Sequence, residues 1–237
     1  MSIVSSEHKK SYVLKQFFLG FKNLGFRYVL LLWLIVFNYF MTFIKSKYFN
    51  FRGKRYLYFY HPYNHTWLNE RTVEIPIIMH EIKNTKSGSI LEIGNVLRRY
   101  YPLTHSVVDK YEKFPGVINQ DAVDFKLKKK YDLIISISTM EHVGWDERPK
   151  DLTKIPRSLE NMKKHLNKGG KIMITVPVGY NPHLNKLIDE NKIFSERYFL
   201  KRKFANSWVE STWDEVKNIP YPREIAANAL AVLVIKN

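Results

Sequence analysis

From Ser89 to Ile235 short apolar runs alternate with polar, turn-rich stretches. Ser89-Ile-Leu-Glu-Ile-Gly-Asn95 is an apolar run closed by an acid and a glycine, and Val107-Val108 ends in Asp109. Val117-Ile-Asn-Gln-Asp121-Ala-Val-Asp124-Phe125 is a short apolar strand entering two acids, and Tyr131-Asp-Leu-Ile-Ile-Ser-Ile-Ser138 is almost continuously apolar and β-rich. Such a run predicts a strand buried on both faces. Met140-Glu-His-Val143 opens a loop leading to a helix, Leu159 to Leu166 has helical spacing, Asn167-Lys-Gly-Gly170 predicts a turn, and Lys171-Ile-Met-Ile-Thr-Val-Pro177 a further strand. Asn191 to Phe204 predicts a short helix or turn and a strand, Ser207 to Trp213 another strand, and Ala229 to Ile235 the last. Strands that alternate with helices make an α/β fold with a mostly parallel sheet.

The acids at the strand ends carry the candidate chemistry. Asp109 lies 17 residues beyond Glu92, the spacing expected where a carboxylate takes hydrogen bonds from ribose hydroxyls. Gly94 offers backbone at the end of the first strand. It is followed by Asn95, Val96 and Leu97 rather than further glycines, so the turn must take another course than a glycine-rich one; Asn accepts left-handed backbone but Val does not do so readily.

From about Ser87 to Pro177 the chain resembles a class I S-adenosylmethionine-dependent methyltransferase. Leu91-Glu-Ile-Gly94 is similar to the first motif of that family, Val108-Asp109 to the second, Asp121-Ala122 to the third and Asp132 to Val143 to the fourth; Leu166-Asn-Lys-Gly-Gly170 through Val176-Pro177 is similar to the segment that closes the parallel sheet. The resemblance implies a Rossmann-like seven-stranded sheet with helices on both faces, completed by a late antiparallel hairpin. It implies S-adenosylmethionine as cofactor. Glu92, Gly94 and Asn95 would border its methionine part, Asp109 would take the ribose hydroxyls, Asp121 and the Ala122 backbone would face the adenine, and Ser138, Thr139 and Met140 would line the cleft beside the sulfonium.

Ahead of the sheet, Tyr56 to Pro76 is dense in polar aromatics and leads into a helix expected from Ile77 to Lys83. In the resembled family such a segment folds over the cleft, which makes Tyr60, Tyr63, His65, Trp67, Asn69, Glu70 and Arg71 candidates to shape the acceptor site. Packing of the lid onto the domain is the alternative. Past Pro177, Tyr180, Asn181 and His183 occupy a loop at a strand's C-terminal end, where open α/β sheets bind ligands. An oxygen acceptor profits from a base, and imidazole titrates near neutral pH; His183 is the first candidate and His142 the second. No metal is expected. The chain has no cysteine, and Pro62 disfavours a helix that would align His61 with His65.

The first 55 residues differ in kind. Tyr28 to Ile44 is apolar almost throughout, and the segment 1–55 holds ten basic residues against the single acid Glu7, a balance of +9 within the whole chain's +16. Seventeen helical residues reach roughly 25 Å, against a hydrocarbon core of about 30 Å. The late start and the absence of a small-residue cleavage site argue against a cleaved signal peptide. Lys9, Lys10, Lys15, Lys22 and Arg27 lie before or at the start of the run, and Lys45, Lys47, Arg52, Lys54 and Arg55 follow; basic charge on both flanks favours a helix lying in the inner leaflet over one that spans. The competing reading is a helix docked on protein in a soluble cytoplasmic chain. The expected organisation is thus a basic and apolar segment 1–55, an aromatic lid 56–86 and a catalytic domain 87–237.

The concentration of basicity around an apolar run, with no nucleic-acid motif, argues against DNA or RNA as partner. The aromatics and hydrogen-bonding groups of the lid suit small-molecule acceptors as varied as sugars, lipids, quinones or peptides; stacking of polar aromatics on sugar faces, at the cytoplasmic face of a membrane, favours a saccharide or lipid-linked saccharide. Sharing the fold does not establish catalysis, and the alternative is a non-catalytic scaffold in a membrane-surface complex.

Overall fold

The computed structural model describes residues 25–44, 46–85, 88–102, 104–222 and 226–237. The chain divides into two units, 1–45 and 46–237. In the first, helix α1 (Phe26–Ile44) follows from the nearly continuous apolar run. Its polar side chains bond within the helix: Asn38 Nδ2 donates to Leu34 O at 2.9 Å and Thr42 Oγ1 to Tyr39 O at 2.7 Å. Val29, Leu30, Trp33, Val36, Phe40, Phe43 and Ile44 are exposed. Among the described residues no helix is long and apolar enough to cross a membrane, which corrects the spanning alternative. The basic residues Lys9, Lys10, Lys15, Lys22 and Lys45 lie outside the described residues, as does the side chain of Arg27.

The second unit opens with the antiparallel pair β1 (Tyr48–Phe51) and β2 (Lys54–Leu57), then a kinked 3-10 stretch (Tyr63–Leu68) and helix α2 (Arg71–Asn84). Phe49 and Phe51 are buried in the core of the second unit, so residues 48–57 belong with that unit. Helix α2 begins six residues before the expected start at Ile77 and carries Pro76 inside it. Proline cannot donate to the carbonyl four residues back; here Phe59 N–H fills that carbonyl, Thr72 O, at 2.9 Å. The break in the helical ladder therefore becomes the attachment point of the aromatic segment.

Then follow β3 (Ile90–Ile93), β4 (Ser106–Val108), β5 (Val117–Ile118), β6 (Tyr131–Ile137), helix α3 (Lys154–Lys164), β7 (Leu166–Pro177), helix α4 (Pro182–Glu190), β8 (Glu196–Lys203), β9 (Ser207–Ser211), the helical turn α5 (Trp213–Val216) and β10 (Ala229–Lys236). The main sheet has eight strands in the order β5-β4-β3-β6-β7-β10-β8-β9. Strands β3 to β7 pair in parallel, whereas β10 is antiparallel to both β7 and β8, and β9 to β8. The α/β class and mostly parallel sheet are as expected; the count of seven is corrected to eight, because β9 adds an edge strand in register with β8. Asn167–Gly170 is likewise not a free turn. It is a bulge inside β7, since Tyr131 pairs with Leu166 and Leu133 next with Lys171.

Both faces of the sheet are covered. Ile134, Ile172 and Ile174 pack with Ile155, Leu159 and Met162 of α3 and with Leu184 and Ile188 of α4, while Leu133, Ile135, Ile137 and Met173 pack with Val73, Ile75, Ile77 and Ile78 of α2. Successive residues of one strand feed opposite cores, as period-two geometry requires. The chain winds outward from β3 through β4 to β5, then returns to β6 on the other side of β3. That reversal opens a crevice at the carboxyl ends of β3 and β6, where open α/β sheets hold ligands.

Candidate active site

A cavity of about 470 Å³ fills this crevice, and its lining includes Gly94 after β3, Asp109, Lys110 and Tyr111 after β4, Gln120, Asp121 and Ala122 after β5, and Thr139, His142, Asp146 and Glu147 after β6. Four chain segments separate in sequence thus present polar groups to one volume, within the size range of small-molecule sites.

Glycine is required at 94. Its φ is +89° and a Cβ there would collide with the side chain of Thr139, so backbone and Thr139 share the cavity floor. Asn95 and Val96 avoid the left-handed region, and the turn closes by another device. Glu92, fully buried, accepts the backbone N–H groups of Val96 at 2.8 Å and Leu97 at 2.9 Å through Oε1, and its Oε2 lies 2.8 Å from His105 Nε2. Asp109 Oδ2 accepts the Asn95 N–H at 3.1 Å while its Oδ1 accepts the N–H groups of Tyr111 and Glu112 at 2.8 and 2.7 Å. A carboxylate oxygen has two lone pairs; Oδ1 commits both to backbone N–H groups, and Oδ2, with a single N–H, retains one toward the cavity that Asp109 lines.

Asp121 sits in a four-membered charge network. Lys110 Nζ and Lys154 Nζ are each 3.0 Å from its Oδ2, and the same two ammoniums reach Glu147 at 3.3 and 2.5 Å. Burial works to raise the Asp121 carboxyl, but the hydrogen bonds from Lys110 and Lys154 outweigh it and hold the group below the usual aspartate value. Burial likewise opposes the charge on both lysines, and their carboxylate partners push them above the ordinary lysine value. The wall beside Ala122 is therefore a fixed, charge-compensated frame.

Beyond Thr139 the chain turns through a polar loop. His142 Nδ1 lies 2.5 Å from Asp146 Oδ2, which also accepts the Tyr180 hydroxyl at 2.7 Å, and the rings of His142 and Tyr180 meet edge to face at 4.8 Å. The hydrogen bond to Asp146, after burial, pushes the Tyr180 phenol upward. Behind this loop lies a buried acidic group. Arg71 Nη1 pairs with Glu74 Oε2 at 2.5 Å, Ser138 Oγ donates to Glu74 Oε1 at 2.7 Å, and Glu70 Oε2 accepts the Ala227 N–H at 2.9 Å. Burial, then the neighbouring Glu74, raises both Glu70 and Glu141, the latter well above the ordinary glutamate value.

The expected residues therefore separate. Gly94, Asp109, Asp121, Ala122, Thr139 and His142 line the cavity. Glu92, Asn95 and Ser138 stand just behind it and brace the loops. His183 is on the first turn of α4, where its N–H donates to Asn181 Oδ1; Asn181 caps that helix and fixes the loop by donating to Glu141 O at 2.9 Å. In the aromatic segment, Tyr60 stacks on Tyr58, Tyr63 abuts Tyr100 and His65 abuts Trp67. Trp67 and Asn69 are buried, with the carbonyls of both accepting Asn206 Nδ2. Among the described residues lining this cavity none comes from that segment. Lys110, Tyr111, Gln120, Asp146 and Glu147 were not anticipated; the signal for the first two was their position directly after Asp109, and for Asp146 its place four residues beyond His142.

No family model matches the chain, and no curated protein does. Similar solved structures include the N-methyltransferase NodS from Bradyrhizobium japonicum in complex with S-adenosyl-L-homocysteine, at 14% identity and a TM-score of 0.41, covering 72% of this chain and 94% of that one. Others are an S-adenosylmethionine-dependent methyltransferase from Clostridium acetobutylicum (12%, 0.38, 67% and 88%) and the sugar N-methyltransferase KedS8 from Streptoalloteichus (14%, 0.35, 56% and 56%). Identities and TM-scores this low identify neither a reaction nor an acceptor.

Proposed function

We propose that the protein is an S-adenosylmethionine-dependent methyltransferase acting on a small-molecule, saccharide or lipid-linked acceptor. The observation that carries this reading is the convergence of Gly94, Asp109, Asp121 and Ala122 on one cavity at the sheet's switch point, together with the motif order that the sequence shares with such enzymes. The residues fit the cofactor. Asp109 Oδ2 keeps a spare lone pair for a ribose hydroxyl, the Asp121–Ala122 wall suits adenine, and Gly94 presents bare backbone to the cavity. When bound, the cofactor supplies an activated methyl on a sulfonium. The chain's part is to orient the acceptor against that methyl and exclude water, effects that rest on positioning. Calorimetry with S-adenosylhomocysteine on the full chain tests the reading: saturable binding supports it, and no heat at millimolar ligand rejects it.

The exposed apolar side chains of α1 and the basic residues that bracket it in sequence support a location at the surface of an anionic membrane, with the helix lying in the interface.

A further inference from the structure

Asp146 is the meeting point of two side chains from different parts of the fold. Its Oδ2 is 2.5 Å from His142 Nδ1 and 2.7 Å from the Tyr180 hydroxyl. His142 and Asp146 both line the cavity, whereas Tyr180 comes from the loop that enters α4. Among the described residues, Nδ1 alone of the two imidazole nitrogens makes a hydrogen bond: Nε2 stands 3.7 Å from Glu141 Oε1, beyond hydrogen-bonding range. A carboxylate facing Nδ1 selects the tautomer that carries its proton there and leaves the Nε2 lone pair open. Tyr180 adds a second hydrogen bond on the same carboxylate oxygen and packs edge-on against the ring, which fixes both partners.

We infer that His142, positioned by Asp146 and Tyr180, is the proton acceptor of the site, and that the methyl acceptor is therefore a nucleophile bearing N–H or O–H. The inference rests on the methyltransferase reading. In the step it describes, the acceptor's lone pair forms the new bond to the methyl carbon, the electron pair of the broken C–S bond stays on sulfur, and the proton shed by the acceptor passes to His142 Nε2. The imidazolium so formed is stabilised by the Asp146 carboxylate at Nδ1. The groups facing the ring are Asp146 on its own loop, Glu141 beside Nε2 and the Tyr180 phenol from the α4 loop. Glu141, with its carboxyl pushed up by burial, is kept from competing as the base by its enclosure. The surroundings also select against an anionic reacting group. Asp121 and Glu147 are compensated by Lys110 and Lys154, but Asp146 faces no lysine or arginine within ion-pair distance among the described residues. A phosphate or carboxylate at the methyl-accepting atom would meet that charge directly.

Two measurements on the full chain test this without knowledge of the acceptor. In nitrogen-15 spectra of histidine-labelled protein, His142 should show the Nδ1–H tautomer, and Asp146→Asn should transfer most of the population to Nε2–H. The Tyr180→Phe protein should keep the wild-type tautomer, since the Asp146 contact to the ring survives. Separately, carbethoxylation of His142 by diethyl pyrocarbonate, followed by mass spectrometry, should slow at least tenfold when S-adenosylhomocysteine saturates the chain. A wild-type ring already in the Nε2–H form, or a His142 whose modification rate ignores bound S-adenosylhomocysteine, overturns the assignment. If calorimetry finds no binding of S-adenosylhomocysteine, the methyltransferase reading fails, and the tautomer measurement still decides whether Asp146 positions the ring.

Discussion

Asp109 Oδ2 accepts the backbone N–H of Asn95 at 3.1 Å, which ties the loop after β4 to the turn after β3. In a glycine-rich turn the backbone itself would wrap the ligand; here one aspartate shapes the turn and still faces the cavity. Asp109 therefore has two roles that a single substitution removes together.

Replacing Asp109 by Ala should weaken S-adenosylhomocysteine binding by at least tenfold, or ~1.4 kcal/mol, because a charge-assisted hydrogen bond through Oδ2 is lost while three backbone N–H groups lose their acceptor. Asp109→Asn, which keeps one acceptor oxygen, should fall between. Calorimetry on both variants and the parent reads the order; an Ala variant with parental affinity would remove Asp109 from the site.

Gly94→Ala combines backbone strain at φ +89° with a collision against Thr139. It should lower stability by about 1–3 kcal/mol in urea unfolding. The double variant Gly94→Ala/Thr139→Ala should recover part of that loss, since the collision goes and the strain stays. Full recovery would show that φ at this position costs nothing.

The buried Glu141 gives a pH dependence of definite sign. Its folded carboxyl is raised well above 4.5 by burial, so between about 4.5 and the folded value the unfolded chain gives up a proton that the folded chain retains. Stability from this group therefore falls as pH rises through that window. Glu141→Gln removes the effect. Its melting temperature relative to the parent should rise from pH 5 to pH 8, and a difference that is flat or falls with pH would contradict the burial argument.

Membrane association is tested by flotation with anionic vesicles. The full chain should float and be partly released by high salt, as expected for a helix lying on the surface. A chain lacking residues 1–45 should stay at the bottom yet bind S-adenosylhomocysteine. The cut belongs at 45, because Phe49 and Phe51 are core residues. A full chain that ignores lipid charge sinks the proposal.

Sheet, strand ends and cavity floor were legible because each apolar run stops at a residue with a chemical reason to be there: Gly94, Asp109, Asp121, Thr139. What the pattern could not supply is the direction a side chain takes once the strand ends. Glu92 and Ser138 sit at the right height but point to backbone N–H groups and to Glu74, and no local sequence rule fixes that choice. The aromatic segment illustrates the same limit at longer range. Trp67 is held through its carbonyl by Asn206, 139 positions away, a contact invisible to periodicity. The eighth strand was hidden differently: Ser207–Ser211 reads as a strand, but its place outside β8 depends on β10 inserting between β7 and β8.

A crystal structure of the full chain grown with S-adenosylhomocysteine would show whether the crevice at the ends of β3 to β6 holds S-adenosylmethionine. A ribose hydroxyl should lie on Asp109 Oδ2, the adenine against Asp121 and Ala122, and the thioether near Gly94 and Thr139. A ligand bound elsewhere, or a crevice without ligand density at millimolar concentration, would contradict this placement.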